Sequence, residues 1–212
     1  MSGEKLVELL IFPCNGNGLE ALDCLDGAYR FVGFLDDAPE KQGIDRHGHR
    51  VMRREKLAEF PDARLLAVPG GPKSFRLRRE VIRGLHVPQH RLATVVHPSA
   101  RISPLASIGR NVLIMAGVVV TSNARIGNHV CVLPNSVIHH DVVIGDYSLI
   151  GANVTLAGNV GVGEGCYVAS GTSVMNDIQI ADGAMIGLGS NLIRDVAART
   201  TVAGNPARVL AS

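Results

Sequence analysis

The sequence predicts a small α/β unit followed by a parallel β-helix, and three observations lead to this prediction. The first is a strict six-residue period, since every sixth residue from Val96 to Leu192 is aliphatic, seventeen in succession. The second is a superimposed eighteen-residue period, marked by Ile-Gly or Val-Gly pairs that begin at residues 108, 126, 144 and 162. The third is a change of composition near residue 95, before which lie 15 of the 21 Lys and Arg and 13 of the 19 Asp and Glu.

The six-residue period is typical of a β-helix, in which short strands turn at fixed intervals and stack inward aliphatic side chains in columns. An α-helix, with 3.6 residues per turn, cannot produce it. Three strands make a triangular coil of eighteen residues, and about five coils fit the repeat. Glycines at the recurring corners are expected to supply a positive φ or a close approach of two backbones. Cys131 and Cys166 fall within the repeat and are expected to pack in it.

Before residue 95 the pattern favours a Rossmann-type βαβ unit. The apolar run from Leu6 to Phe12 predicts a buried strand, and a helical stretch follows from Leu19 to Leu25. Two more strands are predicted, from Phe31 to Leu35 and from Arg64 to Val68. A basic helix comes next, and its arginines favour a solvated helix face over a phosphate clamp. They are Arg76, Arg78, Arg79 and Arg83.

The turn after the first strand is a candidate nucleotide-binding loop, because bare N–H groups at the start of a helix can face phosphate. It reads Asn15, Gly16, Asn17, Gly18. This spacing is not that of a complete dinucleotide fingerprint, so an ordinary structural turn stays open as an alternative. The second strand ends in Asp36 and Asp37, which are suited to hydrogen-bonding a base or ribose; the alternative is a solvated strand end.

Charge and targeting signals exclude several classes of function. A formal net charge of +2 gives no field strong enough to indicate nucleic acid. The first residues carry neither a cleavage site for a leader nor an apolar span of about 20 residues, so we expect no membrane insertion and a cytoplasmic protein. The four cysteines lack the spacing of metal ligands or redox pairs.

The most concentrated polar group in the repeat is His139-His140-Asp141, which follows Ile138 where other repeats place small or simple turn residues. Adjacent strand residues point to opposite faces, so only one of the two histidines is expected at any one site. Asp141 could orient an imidazole and leave its other nitrogen free as a base, an arrangement suited to acyl transfer from a thioester. A solvated turn with incidental histidines is the alternative.

A metal centre is not expected, because a catalytic zinc site needs three converging histidines. His97, His129 and His140 are offset by 32 and 11 residues, and neither offset is a multiple of eighteen. We therefore expect His97 and His129 to be structural or surface residues.

Taken together, these motifs resemble bacterial left-handed β-helix acetyltransferases of the PglD and NeuD type. The resemblance extends over nearly the whole chain and rests on the segments at residues 34–37, 96–100 and 136–145, with the closing Gly204-Asn205-Pro206-Ala207-Arg208. It implies a left-handed coil, a small Rossmann-like nucleotide-sugar domain over residues 1–95, and an acetyltransferase β-helix with a closing segment over residues 96–212.

The resemblance also implies roles for individual residues. His140 takes the place of the family's catalytic base, and Asp141 that of its orienting partner. The nucleotide sugar is expected at Asn15, Gly16, Asn17, Gly18, Asp36 and Asp37, although Asn17 stands where relatives often have histidine. Acetyl-CoA is expected along the outside of the coils between neighbouring subunits. The residues placed near it are Ala157, Gly158, Gly187, Leu188, Gly189, Gly204, Asn205 and Pro206.

The expected function is acetyl-CoA-dependent N-acetylation of a nucleotide-linked amino sugar, with a 4-amino-4,6-dideoxy sugar as the acceptor, for a surface glycan or glycoprotein. O-acetylation of a sugar of the sialic acid type is one alternative, since the same base would serve. A non-catalytic β-helix that binds a nucleotide sugar is another. The few charges on the outer walls predict burial against neighbours and hence a homotrimer.

Overall fold

The structure is a computed structural model that describes residues 6–210. Its N-terminal part contains a five-stranded sheet of order β3-β4-β2-β1-β5, in which β3 is antiparallel to β4 and the other neighbours are parallel. The strands are β1 (Val7–Phe12), β2 (Tyr29–Leu35), β3 (Gly43–Ile44), β4 (Arg50–Met52) and β5 (Arg64–Ala67). The three predicted strands are thus β1, β2 and β5.

Two short α-helices accompany this sheet. The first, α1 (Gly16–Glu20), begins inside the glycine turn, three residues earlier than the predicted start at Leu19. The reason is local, because the side chain of Asn15 caps the helix by accepting a hydrogen bond from the N–H of Gly18. The second is α2 (Arg78–Arg83). Short 3₁₀ helices lie at Ala21–Cys24, Pro39–Lys41, Arg54–Glu59, Phe75–Leu77 and Gln89–Arg91.

From residue 95 onward the chain winds through three sheets, here called walls 1, 2 and 3. Wall 1 contains β6 (Val95–Val96), β9 (Leu113–Ile114), β12 (Cys131–Val132), β15 (Leu149–Ile150), β18 (Tyr167–Val168), β21 (Met185–Ile186), β23 (Thr201–Gly204) and β24 (Ala207–Val209). Wall 2 contains β7 (Arg101–Ile102), β10 (Val119–Val120), β13 (Val137–Ile138), β16 (Thr155–Leu156), β19 (Ser173–Val174) and β22 (Asn191–Leu192). Wall 3 contains β8 (Ser107–Ile108), β11 (Arg125–Ile126), β14 (Val143–Ile144), β17 (Gly161–Val162) and β20 (Gln179–Ile180).

Successive strands from β6 to β22 within a wall are parallel and pair residues one coil apart, as Val119 does with Val137, whereas β23 and β24 at the end of wall 1 form an antiparallel hairpin. Because each second strand residue points inward, the periodic aliphatic side chains form one continuous buried core that includes Cys166. The chain passes from wall 1 to wall 2 to wall 3 and back, which creates three edges. We name them the 1–2, 2–3 and 3–1 edges after the walls that they join.

The left-handed backbone conformation falls on the third residue after the aliphatic position, and Asn and Asp hold about half of these places. Examples are Asn123, Asn135 and Asp141, with φ of 61°, 61° and 60°. Asn and Asp tolerate this conformation better than other non-glycine residues. The glycines one residue after the aliphatic position serve the other predicted role, close approach, since a Cβ on Gly145 would lie 2.6 Å from the carbonyl carbon of Gly163.

Wall 1 is covered by the N-terminal sheet. Its outward residues Leu113, Cys131 and Leu149 are buried in one cluster with Leu9 and Phe34 of that sheet, among others. The few charges on the outer walls predicted burial against neighbouring subunits. For wall 1, the N-terminal unit of the same chain provides this burial, because it removes the wall from water. Within residues 6–210, no part of the chain covers walls 2 and 3 in this way.

Candidate active site

His140 lies at the 2–3 edge, directly after β13, and its ring is tied to the next residue. The Nδ1 atom lies 2.8 Å from Oδ2 of Asp141, and both side chains are about half exposed. With Asp141 ionised, the shared proton belongs on Nδ1, which leaves the lone pair of Nε2 free to accept a proton. His139, by contrast, is half-buried and extends the strand ladder through an N–H bond of 3.0 Å to the carbonyl of Leu156.

The free side of the imidazole lies across Gly158, one coil further on. A Cβ at position 158 would come within 2.4 Å of Cε1 and 2.5 Å of Nε2 of His140. Only glycine therefore leaves space for the ring in this position. The side-chain amide of Asn176, another coil on, reaches within 3.1 Å of the same point. Nε2 thus lies against the backbone of Gly158, beside the side-chain amide of Asn176, in an imidazole that is about half exposed.

Asp141 is held at both carboxylate oxygens. Its Oδ1 accepts a hydrogen bond of 3.0 Å from Nδ2 of Asn123, one coil earlier, while Oδ2 accepts the hydrogen bond from Nδ1 of His140. These two hydrogen bonds, with His140 contributing most, hold the pKa of Asp141 below its usual range. The carboxylate is consequently ionised at neutral pH and can retain the Nδ1 proton of His140.

The predicted nucleotide loop lies at the carboxyl end of β1, as a Rossmann-type unit requires. Gly16 has open space around it, since a Cβ there would meet nothing within 4 Å. Gly18 differs, because a Cβ there would lie 2.4 Å from the carbonyl oxygen of Pro13. Asn17 lines a small cavity of 110 Å³ together with Gly70 and Gly71.

The two aspartates after β2 are both engaged within the chain. Asp36 is buried, and its carboxylate accepts bonds from the N–H of Cys14 at 3.1 Å, the N–H of Ala38 at 3.0 Å and Nζ of Lys41 at 2.8 Å. Asp37 pairs with Arg54 at 2.9 Å. Asp36 therefore fixes the loop that follows β1 to the loop that follows β2, which shapes the candidate nucleotide site.

Within one chain the structure does not bring this loop to His140. The N-terminal unit covers wall 1, and its small cavity is closed by Leu133 and Gly151 of the 1–2 edge. His140 lies on the 2–3 edge, which is the edge opposite wall 1 in a triangular coil. The predicted base and the predicted acceptor loop of one subunit thus face different directions.

The residues predicted for acetyl-CoA are divided between two edges in the same way. Ala157 and Gly158 lie at the 2–3 edge beside His140, whereas the segment 187–189 lies at the 1–2 edge, with Leu188 the most exposed large apolar side chain of the coil at 75%. The segment 204–206 forms the hairpin turn between β23 and β24, and Ser190 of the 1–2 edge holds it by accepting from the N–H of Gly204 at 3.2 Å.

The other histidines of the coil lie apart from His140. His97 follows wall 1 and bonds Ser99 through Nδ1 at 2.8 Å, while His129 follows wall 3 and stacks on Tyr147 with ring centroids 4.5 Å apart. Burial lowers the pKa of His129 to about 4. Across residues 6–210, no three His, Cys, Asp or Glu side chains are arranged to hold a metal ion.

The basic helix was expected to be a solvated face, and this prediction is wrong for Arg78. Its side chain is 1% exposed and donates to the carbonyls of Pro69, of Tyr147 at 2.9 Å and of His129 at 2.6 Å. Burial lowers its pKa to about 10. The guanidinium supplies enough donors to satisfy three carbonyls at once, so it joins the N-terminal unit to the 3–1 edge.

Arg76 and Arg79 extend the same junction. Arg76 donates to the carbonyl of Gly183 at 3.1 Å, and Arg79 forms an ion pair with Glu164. The cleft of 340 Å³ between α2 and the coil is lined by these side chains and by Tyr147. It lies on the 3–1 edge, away from His140. The arginines are therefore structural contacts between the two parts of the chain.

Two side chains that the fold places beside the pair, Asn123 and Asn176, are not predicted from the sequence. Both are polar residues in turns, a class too common to single out by composition. The eighteen-residue period was the available signal, since Asn123 precedes Asp141 by one coil and Asn176 follows Gly158 by one coil.

Comparisons with known proteins show which class of protein the chain resembles. The chain matches the model of the bacterial transferase hexapeptide over residues 105–140 and 123–158. No curated protein matches the chain. The predicted fold, an N-terminal α/β unit followed by a left-handed β-helix of hexapeptide repeats, is confirmed.

The solved structures that it resembles include a sugar N-acetyltransferase and a further acetyltransferase domain. A histidine-to-asparagine variant of perosamine N-acetyltransferase from Caulobacter crescentus, in complex with CoA and GDP-perosamine, is 25% identical with a TM-score of 0.85, covering 97% of each chain. The acetyltransferase domain of PglB from Neisseria gonorrhoeae, in complex with acetyl coenzyme A, is 25% identical with a TM-score of 0.88, covering 97% of this chain and 100% of that one. WeeI from Acinetobacter baumannii, at 21% identity, a TM-score of 0.73 and coverage of 97% and 100%, shares the fold. The resemblance stated from the sequence is thereby confirmed.

Proposed function

We propose that the chain is an acetyl-CoA-dependent N-acetyltransferase that acts on a nucleotide-linked amino sugar, with a 4-amino-4,6-dideoxy sugar as the expected acceptor. The observation that carries the proposal is the His140–Asp141 pair, whose Nε2 faces outward over Gly158. The complexes of the Caulobacter enzyme with CoA and GDP-perosamine support this choice of substrates.

In this mechanism His140 moves one proton twice. The neutral amine attacks the thioester carbonyl, a C–N bond forms, and Nε2 accepts the proton that the nitrogen loses. The C–S bond then breaks, and the imidazolium returns the proton to the CoA sulfur. Asp141 holds the ring in the required tautomer and stabilises its charged form.

The developing oxyanion needs a donor beside Nε2, and a backbone N–H is the candidate. The structure assigns the N–H of Ala157 to the carbonyl of Val174 and that of Asn159 to the carbonyl of His140. Between them, the N–H of Gly158 has no protein acceptor within the described residues. A preorganised donor of this kind is worth about 10²-fold or more in kcat.

The proposal includes a homotrimer whose sites are shared between subunits. It is supported by the position of His140 on the edge opposite the N-terminal unit, since a neighbouring subunit can supply the acceptor loop that the same chain cannot. In the proposed division, residues 1–95 choose the acceptor and residues 96–212 bind acetyl-CoA. A cytoplasmic location belongs to this proposal, because acetyl-CoA and nucleotide sugars are cytoplasmic metabolites.

A thiol-release assay with acetyl-CoA against a panel of UDP-, GDP- and dTDP-linked amino sugars and their hydroxyl analogues tests the activity. We expect release with at least one amino sugar and none with its hydroxyl analogue. Release with hydroxyl acceptors alone would establish O-acetylation instead. Binding of a nucleotide sugar with no thiol release across the panel would support the non-catalytic alternative.

Mixing two inactive variants tests the shared site. His140→Ala removes the base and Gly16→Val weakens acceptor binding, so each homotrimer should have little activity at a sugar-nucleotide concentration well below the native KM. If sites form between subunits, random mixed trimers contain about a quarter of sites with both elements intact, and activity returns on mixing after co-refolding or co-expression. If each site lies within one chain, mixing restores nothing.

A further inference from the structure

Among residues 6–210, Asn123 is the one side chain outside the pair that hydrogen-bonds Asp141. Its Nδ2 donates to Oδ1 of Asp141 at 3.0 Å, while Oδ2 of the same carboxylate bonds the imidazole of His140 at 2.8 Å. The three residues therefore form a linear arrangement of amide, carboxylate and imidazole that ends at the free Nε2.

The backbone makes this arrangement reproducible. Asn123 and Asp141 occupy equivalent left-handed positions of successive coils, and the N–H of Asp141 bonds the carbonyl of Ser122 at 3.0 Å. At two of these positions, Asn123 and Asn159, the side-chain amide bonds the carboxylate of the equivalent residue one coil further on. The contact is thus set by the fold and does not depend on the rotamer of a long, flexible chain.

We propose that Asn123 is a positioning residue for His140 that acts through Asp141. The inference rests on the proposed role of His140 as the base. The carboxylate of Asp141 is about half exposed and would rotate about its χ2 bond without a second partner. Asn123 restricts this rotation and so keeps Oδ2 aimed at Nδ1.

The other charged or titratable groups beside the pair act differently. Arg125, on the neighbouring strand β11, contributes a favourable field that lowers the pKa of Asp141, but it comes after both hydrogen bonds in size. His139 precedes His140 and lies in the strand ladder. Asn176 lies beside Gly158 and carries no charge. Asn123 is therefore the neighbour whose effect on Asp141 is directional.

The same edge contains a matched pair without a histidine. Asn159 donates to Oδ1 of Asp177 at 3.0 Å, two coils after the first pair begins, and the residue before Asp177 is Asn176. Removing this second bond should disturb the coil as much as removing the first, yet it leaves the carboxylate of Asp141 untouched. The Asn159–Asp177 bond is therefore the control that shows whether Asn123 acts only by stabilising the coil.

Glycine is the substitution to use, because it removes the amide and accepts the positive φ without strain. Asn123→Gly is expected to lower kcat on the order of tenfold, the usual worth of one hydrogen bond to a charged group, with KM for both substrates unchanged. Asn159→Gly is expected to leave kcat unchanged. Equal losses in the two variants, or no loss in Asn123→Gly, would overturn the proposal.

A second measurement does not depend on activity. The ¹⁵N shifts of the His140 ring report which nitrogen holds the proton, and we expect Nδ1–H in the native protein. In Asn123→Gly the population should move toward the Nε2–H tautomer, and in Asn159→Gly it should not. An unchanged tautomer in both variants contradicts the positioning role. Full activity in His140→Ala would instead contradict the proposed function, while the tautomer still reports on Asn123.

Discussion

The imidazole of His140 lies across the backbone of Gly158, so closely that a Cβ on residue 158 would come within 2.5 Å of Nε2. The obstructing atoms belong to an exposed side chain that can move. Addition of a methyl group should therefore displace the proposed base, His140, without damaging the coil. A substitution at Gly158 can therefore change the position of the His140 ring while the stability of the fold stays the same.

Gly158→Ala should lower kcat by about 10- to 100-fold, because a base displaced by about 1 Å loses its alignment with the attacking amine. The melting temperature should stay near that of the native protein. Gly145→Ala is the contrast, since its Cβ would meet backbone atoms of Gly163 and Glu164 at 2.6 to 2.8 Å. That variant should melt earlier and keep its kcat per folded molecule. A native kcat in Gly158→Ala would show that the ring is not held there during turnover.

Replacement of the two histidines distinguishes the base from its neighbour. His140→Ala should lower kcat by roughly 10² to 10⁴, the usual worth of a positioned general base. His139→Ala should have a much smaller effect, because the structure gives His139 a place in the strand ladder and no contact with Asp141. Steady-state thiol release measures kcat of both variants, and calorimetry measures whether they still bind acetyl-CoA. A larger loss in His139→Ala would mean that the site uses the other histidine.

The repeat could be predicted from the sequence because one residue in six has to point inward, and this burial is visible as an unbroken column of aliphatic residues. The N-terminal strands followed from apolar runs in the same way. Arg78 could not be predicted, since its burial depends on three carbonyls that come from distant parts of the chain.

The candidate site likewise contains residues that the local sequence predicts and residues that only distant contacts bring into place. His140 and Asp141 are adjacent in sequence, so a local motif was enough to single them out. Asn123 contacts Asp141 only because one coil returns the chain to the same edge, and nothing in its own neighbourhood marks it. Likewise, the sequence does not reveal that the acceptor loop and His140 face away from each other in one chain, because that depends on which wall the N-terminal unit covers.

The acceptor loop can be tested at Gly16, around which there is open space. Gly16→Val should fold normally and raise KM for the sugar nucleotide about tenfold or more, while KM for acetyl-CoA stays unchanged, because it removes binding of one substrate only. Gly18→Ala is the structural counterpart, since its Cβ would lie 2.4 Å from the carbonyl oxygen of Pro13. It should lower the melting temperature. If Gly16→Val weakens both substrates equally, the N-terminal unit is a cover on wall 1 and no acceptor site.

The junction between the two parts of the chain can be tested at Arg78. Arg78→Met keeps most of the side chain's apolar volume but leaves three buried carbonyls without their donor. We expect a loss of about 3 kcal/mol in the free energy of unfolding. Arg83→Met, on the exposed face of α2, should change it by less than about 0.5 kcal/mol. Urea unfolding measures both, and equal values would show that the carbonyls find other donors.

His129 should make the stability of the protein depend on pH. Its folded pKa of about 4 lies below its ordinary value of 6.5, because burial against Tyr147 disfavours the charged ring. Above pH 6.5 the ring is neutral in both states and costs nothing. As the pH falls from 6.5 toward 4, the unfolded chain takes up a proton that the folded chain refuses, so the folded state loses stability.

A variant without this titration isolates the contribution of His129. Asn is the suitable replacement, because His129 has a φ of 61° and Asn accepts the left-handed conformation. The melting temperature of the native protein should fall between pH 6.5 and pH 4, and that of His129→Asn should fall less over the same interval. The variant lacks the ring stacked on Tyr147, so its melting temperature at pH 6.5 can be lower than that of the native protein. His86→Asn is the control, since His86 also has a positive φ, of 51°, and lies outside the coil. Parallel pH curves for the native protein and His129→Asn would show that the buried ring does not govern the acid sensitivity of the fold.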